Sequence, residues 1–330
     1  MSNNSPQSPS SHALKSLAAT SPGVSGAFGL GLVGLGRMGA NMARRLARHG
    51  IVATLHDQDA ELTRAVASEL GTTGADSLHT LVDQMPSGPR VVWLMLPAGA
   101  ATQQAIDELP PVLRAGDLVV DGANSDYRDA AERSRMLAGR GIHFADVGVS
   151  GGVHGLANGY CLMAGCGEGA LELLRPILQA LAPAPDTGWL HAGPVGAGHF
   201  VKMVHNGIEY GMMQALAEGF SLMASKKEFS LDLAAVGELW RHGSVVRSWL
   251  LDLTAQALHQ DASLAGIKPH VADSGEGRWT AREAVDLGVP TPVMSLALMM
   301  RFASQGQDEF GSKLLAKMRQ GFGGHAVQKQ

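Results

Sequence analysis

Residues 28–39 read FGLGLVGLGRMG, a short apolar segment that runs directly into glycines at positions 34, 36 and 39. The apolar segment predicts a buried strand, and the residues after the glycines predict a helix over 38–49. A second predicted strand, 51–56, is followed by Asp57. A glycine-rich turn between a strand and a helix, with an acidic residue after the next strand, is typical of a dinucleotide-binding α/β unit.

Each glycine of this turn has a separate role in holding a dinucleotide. Gly34 permits the tight turn, Gly36 lets the backbone approach the pyrophosphate, and Gly39 lets the helix and the strand pack closely. The N-terminus of the helix then faces the phosphates. Asp57 is placed to accept hydrogen bonds from the adenosine ribose, where its charge would repel a 2′-phosphate, and Gln58 rather than an arginine follows it. We therefore expect NAD as the cofactor, in preference to NADP.

Predicted strands and helices continue to alternate up to about residue 194. Two apolar segments, 90–96 and 118–121, predict buried parallel strands, whose carboxyl ends are where cofactors bind in such sheets. Residues 28–194 are therefore predicted to form a Rossmann-type NAD-binding α/β domain. The expected cofactor contacts are Gly34, Leu35, Gly36, Arg37, Met38, Gly39, Asp57, Gln58, Leu96, Pro97, Ala98 and Asn124.

Two later segments of this domain are interpreted as irregular. A predicted strand over 142–146 is followed by VGVSGG at 147–152, which is interpreted as a loop. Ser150 beside Gly151 and Gly152 exposes backbone N–H groups that suit a carboxylate, and a merely flexible loop is the alternative. Residues 183–191 are interpreted as the connection that closes the domain.

Residues 195–211 read VGAGHFVKMVHNGIEYG and predict a helix that continues to about residue 224. Side chains three, four, seven and eight positions apart share one helix face. That face carries Lys202, His205, Asn206, Glu209 and Tyr210, and the other face carries Phe200, Val201, Val204, Ile208 and Met212, interpreted as core residues. An amine, an imidazole, an amide, a carboxylate and a phenol do not form a core stripe. We expect a catalytic face here, with a solvated helix face as the alternative.

The remainder of the chain predicts helices throughout. Residues 195–330 are therefore expected to form an all-α domain for substrate binding and oligomerisation, ending in an arm that reads RQGFGGH at 319–325. Residues 1–27 are rich in Ser, Pro, Asn and Ala and are predicted to be a disordered tail.

Composition excludes several classes of partner. The formal net charge of −4 provides no basic field for nucleic acid or for an anionic membrane surface. No apolar run is long enough to span a bilayer. The two cysteines, Cys161 and Cys166, have no further ligands at metal-binding spacing, so we expect neither a metal site nor a disulfide, and a cytoplasmic protein.

Taken together, these motifs make the chain resemble the decarboxylating 6-phosphogluconate dehydrogenases, within the β-hydroxyacid dehydrogenase superfamily. The similarity is to the short bacterial form that prefers NAD, and it covers about residues 29–327. The motifs that carry it are GLVGLGRMG at 31–39, VDGANSDYRD at 120–129, VGVSGG at 147–152, GAGHFVKMVHNGIEYG at 196–211, WRHGSVVRSWL at 240–250, DSGEGRWTAREAVDLGVP at 273–290 and RQGFGGH at 319–325.

The resemblance implies an oxidoreductase of the pentose phosphate pathway or of gluconate utilisation that converts 6-phosphogluconate to ribulose 5-phosphate and CO2. It implies that Lys202 is the general base and Glu209 the general acid. It also implies substrate contacts from Asn124, Ser150, Gly151, Gly152, His205, Asn206, Tyr210, Arg301, Arg319 and His325. In the family the last two come from a neighbouring subunit, so a homo-oligomer, either dimer or tetramer, is expected.

Other functions remain open at the level of the sequence. The turn before Trp279 lacks a lysine that long members use on the phosphate and carries Glu276, which leaves an unphosphorylated sugar acid as an alternative. A β-hydroxyacid dehydrogenase for a short 3-hydroxy acid would share Lys202 but would have no use for Glu209, Tyr210 and the arginines. A dinucleotide-binding sensor without activity would be expected to lack Lys202 or Glu209, and both are present.

Overall fold

The computed structural model describes residues 28–307, 309–323, 326 and 328. In this part of the chain an α/β unit is followed by a group of helices, which confirms the predicted fold class. The tail predicted for residues 1–27 and the expected phosphate ligand His325 lie outside the described residues. The described helices include none that is both long and apolar enough to cross a membrane.

One sheet organises the first half of the described chain. Its strands are β1 Gly29–Val33, β2 Ala53–His56, β3 Gly74–Ala75, β4 Arg90–Leu94, β5 Leu118–Asp121, β6 His143–Ser150, β7 Cys161–Cys166 and β8 Trp189–Gly193. They lie in the order β3-β2-β1-β4-β5-β6-β7-β8. Neighbouring strands are parallel except for β6 and β7, so β7 and β8 run opposite to the other six.

Helices cover both faces of this sheet. They are α1 Arg37–Arg48, α2 Ala60–Leu70, α3 Leu78–Gln84, α4 Ala100–Glu108, α5 Tyr127–Ala138, α6 Gly155–Asn158 and α7 Glu168–Leu181. Leu32 and Trp93 belong to a core shared with α1, α2 and α7, whereas Val33 and Val92 belong to a core shared with α3, α4 and α5. Since successive strand residues point to opposite faces, burial on both sides explains the continuous apolar runs of β1 and β4.

A second group of helices is arranged around one long helix. The group consists of α8 Ala197–Ser225, α9 Leu233–Trp240, α10 Trp249–Gln260, α11 Glu276–Asp286, α12 Pro292–Ser304 and α13 Glu309–Gly323. With 29 residues, α8 is about 43 Å long. It packs against β6 and β7 of the sheet and also against α11 and α12, so it connects the two halves of the fold.

Three strands differ from the sequence prediction. β6 extends to Ser150, because residues 147–150 pair with the antiparallel strand β7 and do not form the predicted loop. β8 lies in the segment interpreted as a closing connection; it is an edge strand with partly exposed residues, so it carries no continuous apolar run. β3 is only two residues long and leaves no pattern in the sequence.

The joint between the sheet and α8 is made by one buried carboxylate. Asp146 of β6 is fully buried, and its two side-chain oxygens accept hydrogen bonds from the backbone N–H groups of Gly196, at 2.6 Å, and His199, at 2.8 Å. Burial raises the pKa of this carboxyl, while the two N–H donors act in the opposite direction. The Asp146 carboxylate therefore supplies the hydrogen-bond acceptors that backbone N–H groups at the start of α8 lack within the helix.

Gly198 makes the close crossing of α8 over β6 and β7 possible. A Cβ atom at this position would lie 2.4 Å from the carbonyl oxygens of both Asp146 and Met163. Both neighbours are backbone atoms of paired strands, so they cannot move aside without disturbing the sheet.

We expect Gly198→Ala to lower the free energy of unfolding by roughly 1–3 kcal/mol, because the methyl group overpacks the crossing. Gly219→Ala on the same helix is the matched control, since among the described residues no heavy atom beyond its chain neighbours and the nearby helix backbone lies within 4 Å of its added Cβ. That substitution should raise stability by about 0.5–1 kcal/mol through helix propensity. Thermal and urea unfolding of both variants would measure the difference, and equal effects would contradict the packing argument.

Candidate active site

A cavity of about 820 Å³ lies at the carboxyl ends of the parallel strands. Its wall includes Gly34 after β1, Asp57 after β2, Leu96 after β4 and Asn124 after β5. This is the edge of an open α/β sheet at which nucleotides bind.

The three glycines of the first turn have the geometry expected for a dinucleotide. Gly34 has φ of 90°, and an added Cβ would lie 2.5 Å from the carbonyl oxygen of Met95. A Cβ on Gly39 would lie 1.9 Å from the carbonyl oxygen of Gly34, so the helix and the turn are in direct contact. Apart from the chain neighbours of Gly36, no heavy atom of the described residues lies within 4 Å of a Cβ built on it. The backbone at Gly36 is thus open to a pyrophosphate at the N-terminus of α1.

Asp57 is held rigidly at the end of β2. One of its carboxylate oxygens accepts a hydrogen bond from the backbone N–H of Leu35 at 2.6 Å, and the other accepts from Asp59 N–H at 2.9 Å. The backbone N–H of Asp57 donates to Thr63 Oγ1 at 2.9 Å. These bonds fix a negative charge on the wall of the cavity, where a ribose would meet it.

Most of the predicted cofactor contacts line this cavity. Those on its wall are Gly34, Gly36, Met38, Asp57, Gln58, Leu96, Pro97 and Asn124. Leu35, Arg37, Gly39 and Ala98 are not wall residues: the Leu35 side chain is buried in the core below the turn, and Arg37 and Ala98 are exposed beside it. The sequence did not predict the contribution of His56, Asp76, Ser77, Leu78, Gln104 and Glu108.

The missed wall residues come from the end of β2, from the β3–α3 turn with the start of α3, and from α4. Ser77 caps the N-terminus of α3 by accepting from the backbone N–H of Thr80. A Ser before a predicted helix was a usable signal, but the strand before it, β3, is too short to be recognised.

A second cavity, of about 1000 Å³, is bounded by α8 and by the end of β6. The predicted residues on its wall are Asn124, Ser150, Gly151, Gly152, Lys202, His205, Asn206, Glu209, Tyr210 and Arg301. The two cavities share Met38, Asn124 and Val149. A molecule bound in the second cavity would therefore be next to a dinucleotide bound in the first.

Lys202 lies in the wall of the second cavity with its amine largely removed from water. The residue is 6% exposed, and a Cβ on Gly148 would lie 2.3 Å from the Lys202 Cβ, so the helix and β6 are in contact here. Burial lowers the pKa of the Lys202 amine, against the opposing effects of Glu209, Glu276 and Cys161. A lysine with a lowered pKa can act as a general base.

Glu209 lies two turns further along α8 and is more exposed than Lys202. Its carboxylate is 3.9 Å from His205 Nδ1, and the same ring nitrogen is 3.0 Å from Asn206 Oδ1. The helix thus presents an amine near the sheet and a partly solvated carboxylate further out.

The end of β6 presents backbone groups to the same cavity. Gly151 has φ of 127° and Gly152 has φ of 51°, conformations that favour glycine. Ser150, the last residue of β6, and both glycines lie on the cavity wall. This arrangement suits an anionic group such as a carboxylate.

Tyr210 and Arg301 are stacked against each other in the wall of the same cavity. The Arg301 guanidinium lies 3.5 Å from the centre of the Tyr210 ring, and its Nη1 donates to the carbonyl of Ala272 at 2.7 Å. Arg319, by contrast, is exposed on α13 and is not among the residues that line the cavity. Within one chain the structure therefore assembles only part of the predicted phosphate set.

The apolar side chains of α8 are less buried than the sequence analysis assumed. Val201, Ile208 and Met212 are 38%, 51% and 42% exposed, and all three lie on the wall of the second cavity. Their interpretation as core residues is wrong for the described chain, because these side chains face a cavity and are not packed in a core.

Glu276, the acidic residue of the turn before Trp279, is buried in the wall of the second cavity. The residue is 3% exposed, and its carboxylate accepts hydrogen bonds from the Asn124 side-chain amide and from Ser274 Oγ. Through Asn124, which lines both cavities, it is linked to the junction between them.

Comparison with known proteins matches the two halves of the chain to two domains of one family. Residues 29–191 match the family model described as the NAD binding domain of 6-phosphogluconate dehydrogenase. Residues 198–328 match the model of the 6-phosphogluconate dehydrogenase C-terminal domain.

Individual relatives agree with the family models. The chain is 40% identical over 302 residues to the NAD(+)-dependent, decarboxylating 6-phosphogluconate dehydrogenase of Haloferax volcanii, covering 91% of this chain and 99% of that protein. It is 36% identical over 293 residues to the NADP(+)-dependent, decarboxylating enzyme of Bacillus subtilis, covering 85% of this chain but only 62% of that protein.

A solved structure shows how far the similarity of fold extends. The 6-phosphogluconate dehydrogenase of Plasmodium falciparum superimposes with a TM-score of 0.78 at 27% identity, over 91% of this chain and 66% of that one. The chain therefore belongs to the 6-phosphogluconate dehydrogenase family.

Proposed function

We propose that this protein catalyses the oxidative decarboxylation of 6-phosphogluconate to ribulose 5-phosphate and CO2, with NAD as the oxidant. The observation that carries the proposal is the meeting of the two cavities at Asn124, with Lys202 and Glu209 on the wall of the second. A hydride donor in the second cavity would lie next to the nicotinamide end of a dinucleotide in the first.

The first step is oxidation at carbon 3 of the substrate. When bound, NAD supplies the hydride acceptor. Lys202 Nζ takes the proton of the carbon 3 hydroxyl, and its burial supports this role because burial favours the neutral amine. Ser150, Gly151 and Gly152 hold the substrate carboxylate, while His205 and Asn206 hold sugar hydroxyls.

The second step uses the new ketone as the electron sink. As the carboxylate leaves as CO2, its bonding electrons form the enediol, and Lys202 returns its proton to the carbon 3 oxygen. Glu209 then protonates the carbon that lost CO2, which becomes carbon 1 of the product, while Lys202 accepts the hydroxyl proton of the enediol. The partial exposure of Glu209 supports this role, because its proton must be replaced from solvent.

We further propose that the working enzyme is a homo-oligomer, dimer or tetramer, in which a neighbour's Arg319 and His325 complete the phosphate site beside Tyr210 and Arg301. The position of Arg319 outside the cavity of its own chain supports this arrangement. The exposed apolar side chains on α8 also support it, since such patches commonly mark protein interfaces.

The cofactor preference is proposed from Asp57 and Gln58. A fixed carboxylate on the cavity wall suits the two hydroxyls of an NAD ribose and repels the 2′-phosphate of NADP. The unpaired thiols Cys161 and Cys166 are consistent with a proposed location in the cytoplasm.

Wild-type protein should reduce NAD rapidly with 6-phosphogluconate and release CO2 and ribulose 5-phosphate. Lys202→Met should lower kcat by about 10²–10⁴-fold, because the general base is lost. Absorbance of the reduced cofactor and product analysis provide the measurement. Equal or faster turnover of gluconate or of a short 3-hydroxy acid by wild type would instead support the alternative of an unphosphorylated substrate.

Asp57→Ala should lower kcat/KM for NAD. The ratio of kcat/KM for NAD to kcat/KM for NADP should fall by about tenfold, because hydrogen bonds to the ribose and the repulsion of a 2′-phosphate are both lost. Asp59→Ala is the matched control: its carboxylate caps α2 and accepts from the N–H groups of Glu61 and Leu62. The control should lose about 1 kcal/mol of stability with its cofactor ratio unchanged. An unaltered ratio in Asp57→Ala would contradict the proposed preference.

Arg319→Ala should raise KM for 6-phosphogluconate by about tenfold, the usual effect of losing one charged hydrogen bond, while KM for NAD holds. Mixed oligomers of Arg319→Ala and Lys202→Met chains test whether the arm acts in trans. In such a mixture one site combines an intact Lys202 with an intact arm from the other chain, so activity with low KM should return. Absence of that activity would place Arg319 in its own chain's site or in neither.

A further inference from the structure

Glu276 is a buried carboxylate for which the proposed reaction provides no role. It is the first residue of α11, and it receives hydrogen bonds from two elements: the Asn124 amide, which follows β5, and Ser274 Oγ, at 2.6 Å. Ser274 Oγ is in turn 3.2 Å from the Tyr210 hydroxyl of α8. Glu276 thus connects groups on the walls of both cavities.

The contact with Glu276 determines which way the Asn124 amide points. A carboxylate can only accept hydrogen bonds, so it holds the NH₂ group of the amide and would repel the amide oxygen. Asn124 Oδ1 is therefore directed away from Glu276. Since Asn124 lines both cavities, that oxygen is available to a donor at their junction, such as a sugar hydroxyl or the carboxamide of a nicotinamide.

The same carboxylate contributes to the electrostatic surroundings of Lys202. The groups that oppose the lowered pKa of the Lys202 amine come from three elements: Glu209 on α8, Glu276 on α11 and Cys161 on β7. Other titratable groups on the cavity wall are His205, Tyr210 and Arg301, and β6 adds Asp146, which is engaged by the first turn of α8.

We propose that Glu276 is a positioning residue for the dehydrogenase reaction, which orients Asn124 with its oxygen toward the junction and holds a negative charge on the cavity wall that also carries Lys202. This inference rests on the proposed function. It gives the acidic residue of the DSGEGRWT motif a role at the reacting end of the substrate.

The two parts of the role are separable by substitution. Glu276→Gln keeps the shape and retains an oxygen that accepts from Asn124, while its NH₂ group donates to Ser274; only the charge is lost. Glu276→Ala loses both the charge and the partner of Asn124. Glu283→Gln is the matched control, since Glu283 lies on the same helix but accepts from Tyr127 and Arg128, away from Lys202.

The pH dependence of kcat/KM tests the charge. Lys202 must be neutral to accept a proton, so activity falls on the acid side as the amine becomes protonated. Loss of the Glu276 charge removes an interaction that favours the protonated amine. In Glu276→Gln the acid side of the kcat/KM profile should therefore move to lower pH, by about half a unit or more. In Glu283→Gln it should stay where it is in wild type.

Rescue by the conservative variant tests the orientation of Asn124. On the pH plateau, kcat of Glu276→Ala should fall roughly tenfold or more below that of Glu276→Gln, because a misdirected amide no longer holds the reacting groups in place. Equal plateau rates for the two variants would overturn the positioning role. Thermal unfolding verifies that each variant is folded.

A measurement without substrate separates this inference from the proposed function. Competitive acetylation of the protein alone, read by peptide mass spectrometry, reports the fraction of neutral Lys202 at each pH. The pH at which half of Lys202 is neutral should be lower in Glu276→Gln than in wild type and in Glu283→Gln. An unchanged value in Glu276→Gln would overturn the inference. If wild type fails with 6-phosphogluconate, the proposed function fails, and the acetylation result still decides whether Glu276 acts on Lys202.

Discussion

The hydrogen bonds of Asp146 to the first turn of α8 are the constraint on which the site depends. A fully buried carboxylate is costly unless donors compensate for lost water, and here the N–H groups of Gly196 and His199 do so. They fix the direction in which α8 leaves the sheet. Lys202 then lies against β6 at Gly148, where even one added carbon atom would clash. The position of the amine follows from this backbone contact.

The long helix also explains why two cavities meet at a single side chain. The carboxyl ends of the parallel strands form the dinucleotide cavity, and β6 extends beyond its predicted end to bring Ser150 to the second cavity. Between the two lies Asn124, at the tip of β5. Its amide is held from the side of the helical domain by Glu276, so the junction is built by both halves of the fold.

Local sequence was sufficient to predict the structure where the conformation of a single backbone turn requires a particular residue type. Gly34, with positive φ, and Gly39, in contact with the turn, leave no space for a side chain, and the helical spacing of Lys202 and Glu209 is read directly from the chain. It was insufficient where pairing with a distant segment decides the structure. β6 is prolonged by β7, and β8 joins the sheet edge without an apolar run. Neither event leaves a periodic signal of its own.

By itself the sequence determined the fold class and the family and predicted the chemical groups of the site, because glycine patterns and helical spacing act over a few residues. Only the tertiary structure decided which of those groups converge. It buried the Lys202 amine, left Val201 and Ile208 exposed, and brought Glu276 to Asn124. The physical reason is that burial and hydrogen-bond partners depend on segments 50 to 152 residues apart, whose approach no local pattern records.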